Sequence, residues 1–280
     1  MIGGALAGVR VVSMAVNVPG PAAVSRLVAA GATAIKVEPP WGDPVATLCP
    51  SLYEELHRGV KCLTLDLKSP DGREALFDRL ASTDLFIASH RPSALRRLGL
   101  DAAALGARVP ALRSLNIVGD REQPEEPGHD LTYQARENLV DRALPPTLLA
   151  DMAGAERAFA TALLLLRCPA GTHAEVALVD ALRALTLPRR HGLTAPGGVL
   201  GGSNPAYHVY DASDGAIAVA ALEPHFRARL YEALSLPDGS PLTDAFRTRP
   251  AADWEAWARE RDIPLAAIRH GLTAFGFRVK

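Results

Sequence analysis

Apolar and polar positions along the first 118 residues follow two alternating patterns. Short, mostly apolar runs are typical of strands buried on both faces of a sheet. They predict strands at residues 9–15, 33–37, 62–67, 84–89 and 114–118. Between them, apolar residues recur at helical spacing and predict helices at residues 19–31, 69–80 and 100–106. Because strands alternate with helices, we expect a parallel sheet in an open, doubly wound α/β domain.

The pattern changes after residue 118. A polar, proline-containing stretch at residues 120–127 predicts a loop. The later segments predict a buried helix at 155–166, a strand at 174–179, an irregular stretch at 186–205, a hairpin at 207–221 and helices at 224–234, 242–247 and 251–261. We therefore expect a Rossmann-like large domain over residues 1–190 and a smaller α+β domain over residues 191–280.

Composition and charge narrow the class of partner. The formal net charge is −1, so no overall field attracts nucleic acid or an anionic membrane. No apolar run is long enough to cross a bilayer, and residues 1–9 do not resemble a signal peptide. Three cysteines, Cys49, Cys62 and Cys168, show no metal-ligand spacing and fit a reducing compartment. We predict a cytoplasmic protein with no metal, nucleic-acid or membrane partner.

Common catalytic and nucleotide-binding motifs are missing from the sequence. Val18-Pro19-Gly20-Pro21 occupies the place where a dinucleotide-binding protein carries G-x-G-x-x-G, so the first β-α-β unit does not indicate such a cofactor. There is no G-x-x-x-x-G-K, H-E-x-x-H or G-x-S-x-G either. Chemistry must therefore come from other residues.

His129 and Asp151 are the strongest candidates, and each stands at the edge of a predicted element. A histidine titrates near neutrality and suits a general base, but a loop or capping histidine fits the pattern as well. Asp151 precedes a helix expected from about Met152, where it can be an N-cap, a catalytic carboxylate or both. The backbone N–H groups after it would then stabilise negative charge on a bound carbonyl oxygen.

Other charged residues allow two interpretations. Glu223 begins a predicted helix and is either a first-turn acid or the support of a catalytic histidine. Basic residues cluster near the ends of predicted strands, where such sheets bind ligands and where phosphates suit Arg and Lys. The same basic residues could equally lie on a solvent-exposed face and bind no ligand. They are Lys36, Arg58, Lys61, Arg91, Arg96 and Arg97.

Several stretches together resemble the family III CoA-transferases, which include formyl-CoA and carnitine-CoA transferases and 2-methylacyl-CoA racemases. The matching stretches are Pro19-Gly20-Pro21, residues 34–44, Arg58-Gly59, residues 63–70, Arg91-Pro92, residues 97–100, residues 127–135, Leu149-Ala150-Asp151, residues 176–181 and residues 221–226. The resemblance covers about residues 8–269.

The resemblance implies an interlinked homodimer whose substrate is an acyl-CoA thioester. Coenzyme A would enter as part of the substrate, with no permanently bound cofactor. Asp151 falls on the family's catalytic aspartate. The family positions for the CoA handle fall on Lys36, Arg58, Arg91, Arg97 and Leu98.

Within the family, three features favour the racemase branch over the transferases. His129 matches the racemase G-H-D motif, and Glu223 matches its E-P-x-F motif, whose glutamate supports the histidine. The transferases' run of glycines is interrupted here, at residues 201–205. We therefore expect proton transfer at C2 of a 2-methylacyl-CoA by His129 and Asp151.

Two alternatives stay open. One is an acyl-CoA:carboxylate CoA-transferase that uses Asp151 as a nucleophile and passes through an aspartyl-CoA intermediate. The other is a non-catalytic, shortened relative that binds CoA esters, suggested by an ending at residues 274–280 that does not resemble the family's. Ser89-His90 also stands where the family usually carries Asn-Phe.

Overall fold

The computed structural model describes residues 3–269. The chain forms two compact units, the first ending at Thr186 and the second beginning at Leu187. The dissimilar ending at residues 274–280 lies outside the described residues.

A parallel sheet of six strands forms the centre of the first unit and confirms the predicted α/β class. The strands are β1 Arg10–Ser13, β2 Thr33–Glu38, β3 Val60–Thr64, β4 Leu85–Ala88, β5 Arg113–Val118 and β6 His173–Ala177. Their spatial order is β3-β2-β1-β4-β5-β6. The order reverses between β1 and β4, so the carboxyl ends of these strands open a crevice where ligands bind in such folds.

Helices connect the strands. They are α1 Pro19–Ala29, α2 Pro44–Leu48, α3 Pro50–Leu56, α4 Pro70–Leu80, α5 Pro92–Leu98, α6 Ala102–Arg108, α7 Asp130–Arg136, α8 Leu149–Leu165 and α9 Leu178–Leu185. The first five begin at a proline, whose fixed φ suits the first helical position. The Oγ of Ser69 accepts a hydrogen bond from the N–H of Gly72 and so caps α4, at the start of the helix predicted over residues 69–80.

Helix α1 packs against α8 through small side chains, with Ala23 and Leu27 sharing one apolar core with Ala158 and Ala162. Gly20 allows a second close approach, between the start of α1 and the end of β1. A Cβ at Gly20 would lie 2.1 Å from the Cβ of Ala15. The Pro19-Gly20-Pro21 motif therefore serves the packing of α1 against the end of β1.

Of the boundaries that differ from the predicted ones, two lie near Asp151 and α9. Helix α8 begins at Leu149, with Leu148 as its N-cap, so Asp151 lies inside the first turn and not before it. Strand β6 ends at Ala177, and the apolar residues that extended the predicted strand to 179 begin α9. Apolar residues at the start of a buried helix and at the end of a buried strand look alike in sequence.

The second unit contains an antiparallel sheet of three strands, β7 Tyr207–Asp211, β8 Ala216–Ala220 and β9 Leu265–Ala267. Its helices are α10 Leu187–Arg190, α11 Pro224–Ala233, α12 Thr243–Phe246 and α13 Ala251–Arg259, and a tight turn covers Val199–Ser203. The predicted hairpin is confirmed, whereas β9 was not predicted. Trp254, Trp257 and Phe246 centre its core. Among residues 3–269, no helix is long and apolar enough to cross a membrane.

Candidate active site

A cavity of about 270 Å³ lies in the first unit, beyond the carboxyl ends of β1, β4 and β5. We call it the reaction cavity. Its wall includes Asn17 after β1, His90 and Arg91 after β4, and Gly119 after β5. Both predicted catalytic residues, His129 and Asp151, line it as well. The chain thus brings its imidazole and its carboxyl group to one hollow at the point where the strand order reverses.

Asp151 approaches the reaction cavity from a half-buried position in the first turn of α8. Burial, and then the charge of Asp130, raise its pKa to about 7. Asp130 is itself buried, and its Oδ1 accepts a hydrogen bond of 3.0 Å from the N–H of Asp151. Its Oδ2 accepts another from the Nε2 of Gln134. A carboxyl group with this pKa can take or give a proton near neutral pH.

The expectation that N–H groups after Asp151 stabilise an oxyanion is wrong. Because α8 begins at Leu149, those groups already lie inside the helical hydrogen-bond ladder. The N–H of Met152 donates to the carbonyl of Leu148 at 3.0 Å, and the N–H of Asp151 donates to Asp130. The first N–H groups of a helix are free only before this ladder starts.

His129 stands at the N-cap of α7, on the exposed side of the reaction cavity. The hydroxyl of Thr132 accepts a hydrogen bond of 3.0 Å from the N–H of His129 and donates one of 2.7 Å to its carbonyl. These bonds fix the backbone that carries the imidazole. His129 can therefore be the N-cap of α7 and line the reaction cavity at the same time.

Tyr133 lines the reaction cavity but was not predicted. Its ring is buried, and burial followed by the charge of Asp151 raises the pKa of its hydroxyl. Gly119 and Gly128 leave room for it, since a Cβ at either would lie 2.0 Å or 2.5 Å from its Oη. Tyr133 follows His129 by one helical turn. Core residues of a helix recur at the same spacing, so the sequence pattern did not distinguish a site residue from a core residue here.

A larger cavity of about 600 Å³ lies beside β2 and α5 in the same unit. Apolar side chains line much of it, among them Trp41, Leu65 and Leu98. Three cationic residues also contribute to its wall: Lys68, Arg73 and Arg97. Of the predicted CoA residues, Arg97 and Leu98 therefore lie here and Arg91 lies at the reaction cavity.

Lys36 and Arg58 line neither of these two cavities. Arg58 is exposed, whereas Lys36 is only 2% exposed and its Nζ lies among three internal partners. They are Asp43 Oδ2 at 2.5 Å, Glu38 Oε1 at 3.0 Å and His57 Nε2 at 2.8 Å. The ammonium fills the space that a metal ion held by Glu38, Asp43 and His57 would need. An ammonium has three donors, so internal partners satisfy them all.

Asp43 also connects this buried network to the reaction cavity. Its Oδ1 accepts hydrogen bonds from the N–H of Asn17 at 3.2 Å and of Val45 at 3.0 Å. Asn17 has a φ of +64°, a left-handed conformation that is uncommon outside glycine. The network thus holds the turn that forms one wall of the cavity.

Glu223 lies in the second unit, exposed, at the N-cap of α11. Its carbonyl accepts a hydrogen bond of 2.9 Å from the N–H of Arg227. Its predicted support of His129 stays a prediction.

Comparison with known proteins identifies the family. The sequence profile of CoA-transferase family III matches residues 6–244. Cinnamoyl-CoA:phenyllactate CoA-transferase of Clostridium sporogenes is 33% identical over 45% of this chain and 34% of its own length. Alpha-methylacyl-CoA racemase of Homo sapiens is 28% identical over 83% of this chain and 65% of its own length. In both cases the match spans less than two thirds of the relative.

The fold agrees with this assignment. The crystal structure of a hypothetical protein from Mycobacterium tuberculosis superposes with a TM-score of 0.82 at 21% identity, covering 96% of this chain and 86% of the other. At this identity the likeness speaks for the fold alone. Since the family profile covers most of the sequence, the chain belongs to CoA-transferase family III.

Proposed function

We propose that this chain is a CoA-thioester enzyme that moves a proton across C2 of a 2-methylacyl-CoA. The observation that carries the proposal is the meeting of His129 and Asp151 at one cavity, with the pKa of Asp151 raised to about 7. Racemisation needs one base to remove the C2 proton and one acid to return a proton on the opposite face. A carboxyl group whose pKa is raised to about 7 and an imidazole, a common general acid or base, fit these two roles.

The proposed step is balanced by the two side chains alone. The thioester acidifies the C2–H bond, and the ionised carboxylate of Asp151 takes that proton to leave an enolate. Protonated His129 then gives its proton to C2 on the other face and ends neutral. The reverse reaction uses the same groups in exchanged roles, so each must exist in both states near neutral pH.

The CoA part of the substrate fits the larger cavity. Lys68, Arg73 and Arg97 are cations suited to the phosphates, and Trp41 and Leu98 offer apolar surface to the adenine. Arg91, at the reaction cavity, remains within the proposed binding set, together with Arg97 and Leu98. We leave Lys36 and Arg58 out of this set because neither residue lines the reaction cavity or the larger cavity.

A CoA-transferase reaction is the second candidate, and the names of several relatives favour it, including the one from Clostridium sporogenes. In that reaction the Asp151 carboxylate attacks the thioester carbonyl and becomes linked to the acyl group, and then to CoA. A pKa of about 7 leaves a large share of Asp151 protonated at neutral pH, which weakens it as a nucleophile.

One experiment separates the two reactions. A single enantiomer of a 2-methylacyl-CoA is incubated with the protein in D₂O, and configuration and mass are followed. We expect loss of optical purity together with one deuterium at C2. The loss of optical purity should be abolished in D151N and retained in a control variant at an exposed histidine of the second unit, H191N. Retained configuration without deuterium, combined with a covalent CoA adduct on Asp151 when a carboxylate acceptor is present, would establish the transferase instead.

We further infer that the chain works as a homodimer. This rests on the resemblance to the family, and the apolar side chains exposed along α8 and α9, among them Met152 and Leu185, support it.

A further inference from the structure

His90 lies where the two cavities of the first unit meet. Val16 and His90 line both the reaction cavity and the larger cavity. The backbone at this position is fixed, because the Nδ2 of Asn116 donates a hydrogen bond of 3.2 Å to the carbonyl of His90. The N–H of Val16 donates to the Oγ of Ser89 at 3.0 Å. The boundary between the cavities is thus built by two adjoining strand ends, after β1 and β4.

The His90 imidazole lacks the partner that a buried polar group normally has. Its Nδ1 is buried and makes no hydrogen bond to any residue between 3 and 269. Burial lowers the pKa of the ring, so the ring is neutral at pH 7 and carries one N–H donor. With the proton on Nε2, Nδ1 is left with a bare lone pair, which buried groups tolerate better than an unpaired N–H. The donor is then available to a ligand.

We infer that His90 binds the pantetheine arm of coenzyme A by donating a hydrogen bond to one of its amide carbonyls. The inference rests on the proposed function. If the phosphates lie at Lys68, Arg73 and Arg97 and the thioester lies beside Asp151, the arm between them must pass His90 and Val16. An amide that leaves water needs a new hydrogen-bond partner. The side chain of Val16 offers none, and His90 does.

Two ligands separate this role from a general effect on CoA binding. Coenzyme A carries the pantetheine arm, and adenosine 3′,5′-bisphosphate carries most of the nucleotide without it. Calorimetry gives the Kd of each for the unmodified chain, H90F and R97Q. We expect H90F, which keeps an aromatic ring but loses the donor, to weaken CoA binding about five- to tenfold. It should change the Kd of the bisphosphate by less than about twofold.

R97Q is the matched comparison and should weaken both ligands by a similar factor, because the phosphates are common to them. Thermal unfolding of each variant checks that it folds. Should H90F fail to fold, H90L carries the same comparison, since its side chain also lacks a donor, and it should weaken CoA binding about five- to tenfold while sparing the bisphosphate.

Three results would overturn the inference. They are an unchanged Kd of CoA in H90F, an equal loss for both ligands, and a loss of kcat for an acyl-CoA with the Kd of CoA unchanged. The last result would indicate that His90 donates its hydrogen bond to the thioester carbonyl and not to an amide of the pantetheine arm. Absence of binding of either ligand to the unmodified chain would instead contradict the proposed function, so the two failures are distinguishable.

Discussion

Asp151 holds its carboxyl group half-buried in the first turn of α8, next to the buried carboxylate of Asp130. The folded chain therefore binds a proton at Asp151 up to a pKa of about 7, whereas an unfolded aspartate loses it near pH 4. Between these values the folded state binds more protons than the unfolded state. The free energy of unfolding thus falls as pH rises through this window.

The variant D151N should be more stable than the unmodified chain at high pH. Asparagine cannot ionise, so the cost of charging this site disappears. We expect a gain of about 2 kcal/mol in the free energy of unfolding at pH 8, less than the full shift implies because the side chain partly reaches solvent. The gain should vanish near pH 4. Urea denaturation across pH 4–8 measures it, and a gain independent of pH would contradict the assigned titration.

The residue pattern predicted the candidate pair, His129 and Asp151, but not every contact of its neighbours. His129 and Asp151 belong to motifs with distinct residue types, and both reach one cavity. Asp130 begins the short helix α7, and three-dimensional packing adds that its carboxylate accepts a hydrogen bond from the N–H of Asp151 in another helix. Lys36 follows a family position, but only three-dimensional packing reveals that Asp43, Glu38 and His57 surround it.

At the scale of elements, one buried network ties β2 to the short helices that follow it. Lys36 lies on β2, Asp43 caps α2, and His57 follows α3. Removing the ammonium in K36M would leave the Asp43 carboxylate buried without its partner. We expect a loss of about 3–5 kcal/mol in the free energy of unfolding.

The exposed Arg58 provides the comparison. R58Q should change the free energy of unfolding by no more than about 0.5 kcal/mol. It should also leave the Kd of CoA unchanged, as calorimetry can show. A marked loss of CoA affinity in R58Q would contradict this prediction and show that Arg58 contributes to CoA binding.

The contact between α8 and α9 depends on one glycine. A Cβ at Gly154 would lie 2.2 Å from the Cδ2 of Leu178. We expect G154A to lose about 1–3 kcal/mol of stability through overpacking. G106A is the matched control, because Gly106 lies exposed in α6 with no atom near its Cβ position, and there alanine should stabilise by up to about 1 kcal/mol. Urea denaturation measures both, and equal effects would contradict the packing argument.

Element prediction succeeded where the period of apolar residues changes sharply. All six strands of the parallel sheet fall on or beside apolar runs read from the sequence, and Ser69-Pro70 marked the start of α4. The start of α8 was missed because its N-cap, Leu148, is an apolar residue and the acceptor for the first-turn N–H of Asp151 is Asp130, a residue of another segment. The end of β6 was missed because Leu178 and Val179 continue the apolar run into α9.

At the scale of the whole molecule, the proposed homodimer predicts a measurable mass. Light scattering coupled to size exclusion should give twice the 29.7 kDa of one chain. The double substitution M152E and L185E, on the exposed apolar face of α8 and α9, should shift the protein towards one chain mass. A single-chain mass for the unmodified protein at micromolar concentration would contradict the proposal.

Two side chains that act on opposite faces of one C2 atom, as we propose for His129 and Asp151, are distinguished by enantiomer-resolved exchange in D₂O. Each enantiomer of a 2-methylacyl-CoA is incubated separately with H129A and with D151N, and deuterium at C2 is measured. We predict that each variant exchanges the C2 proton of one enantiomer only, without inversion, and that the two variants choose opposite enantiomers. Exchange of both enantiomers by H129A at the unmodified rate would contradict the account.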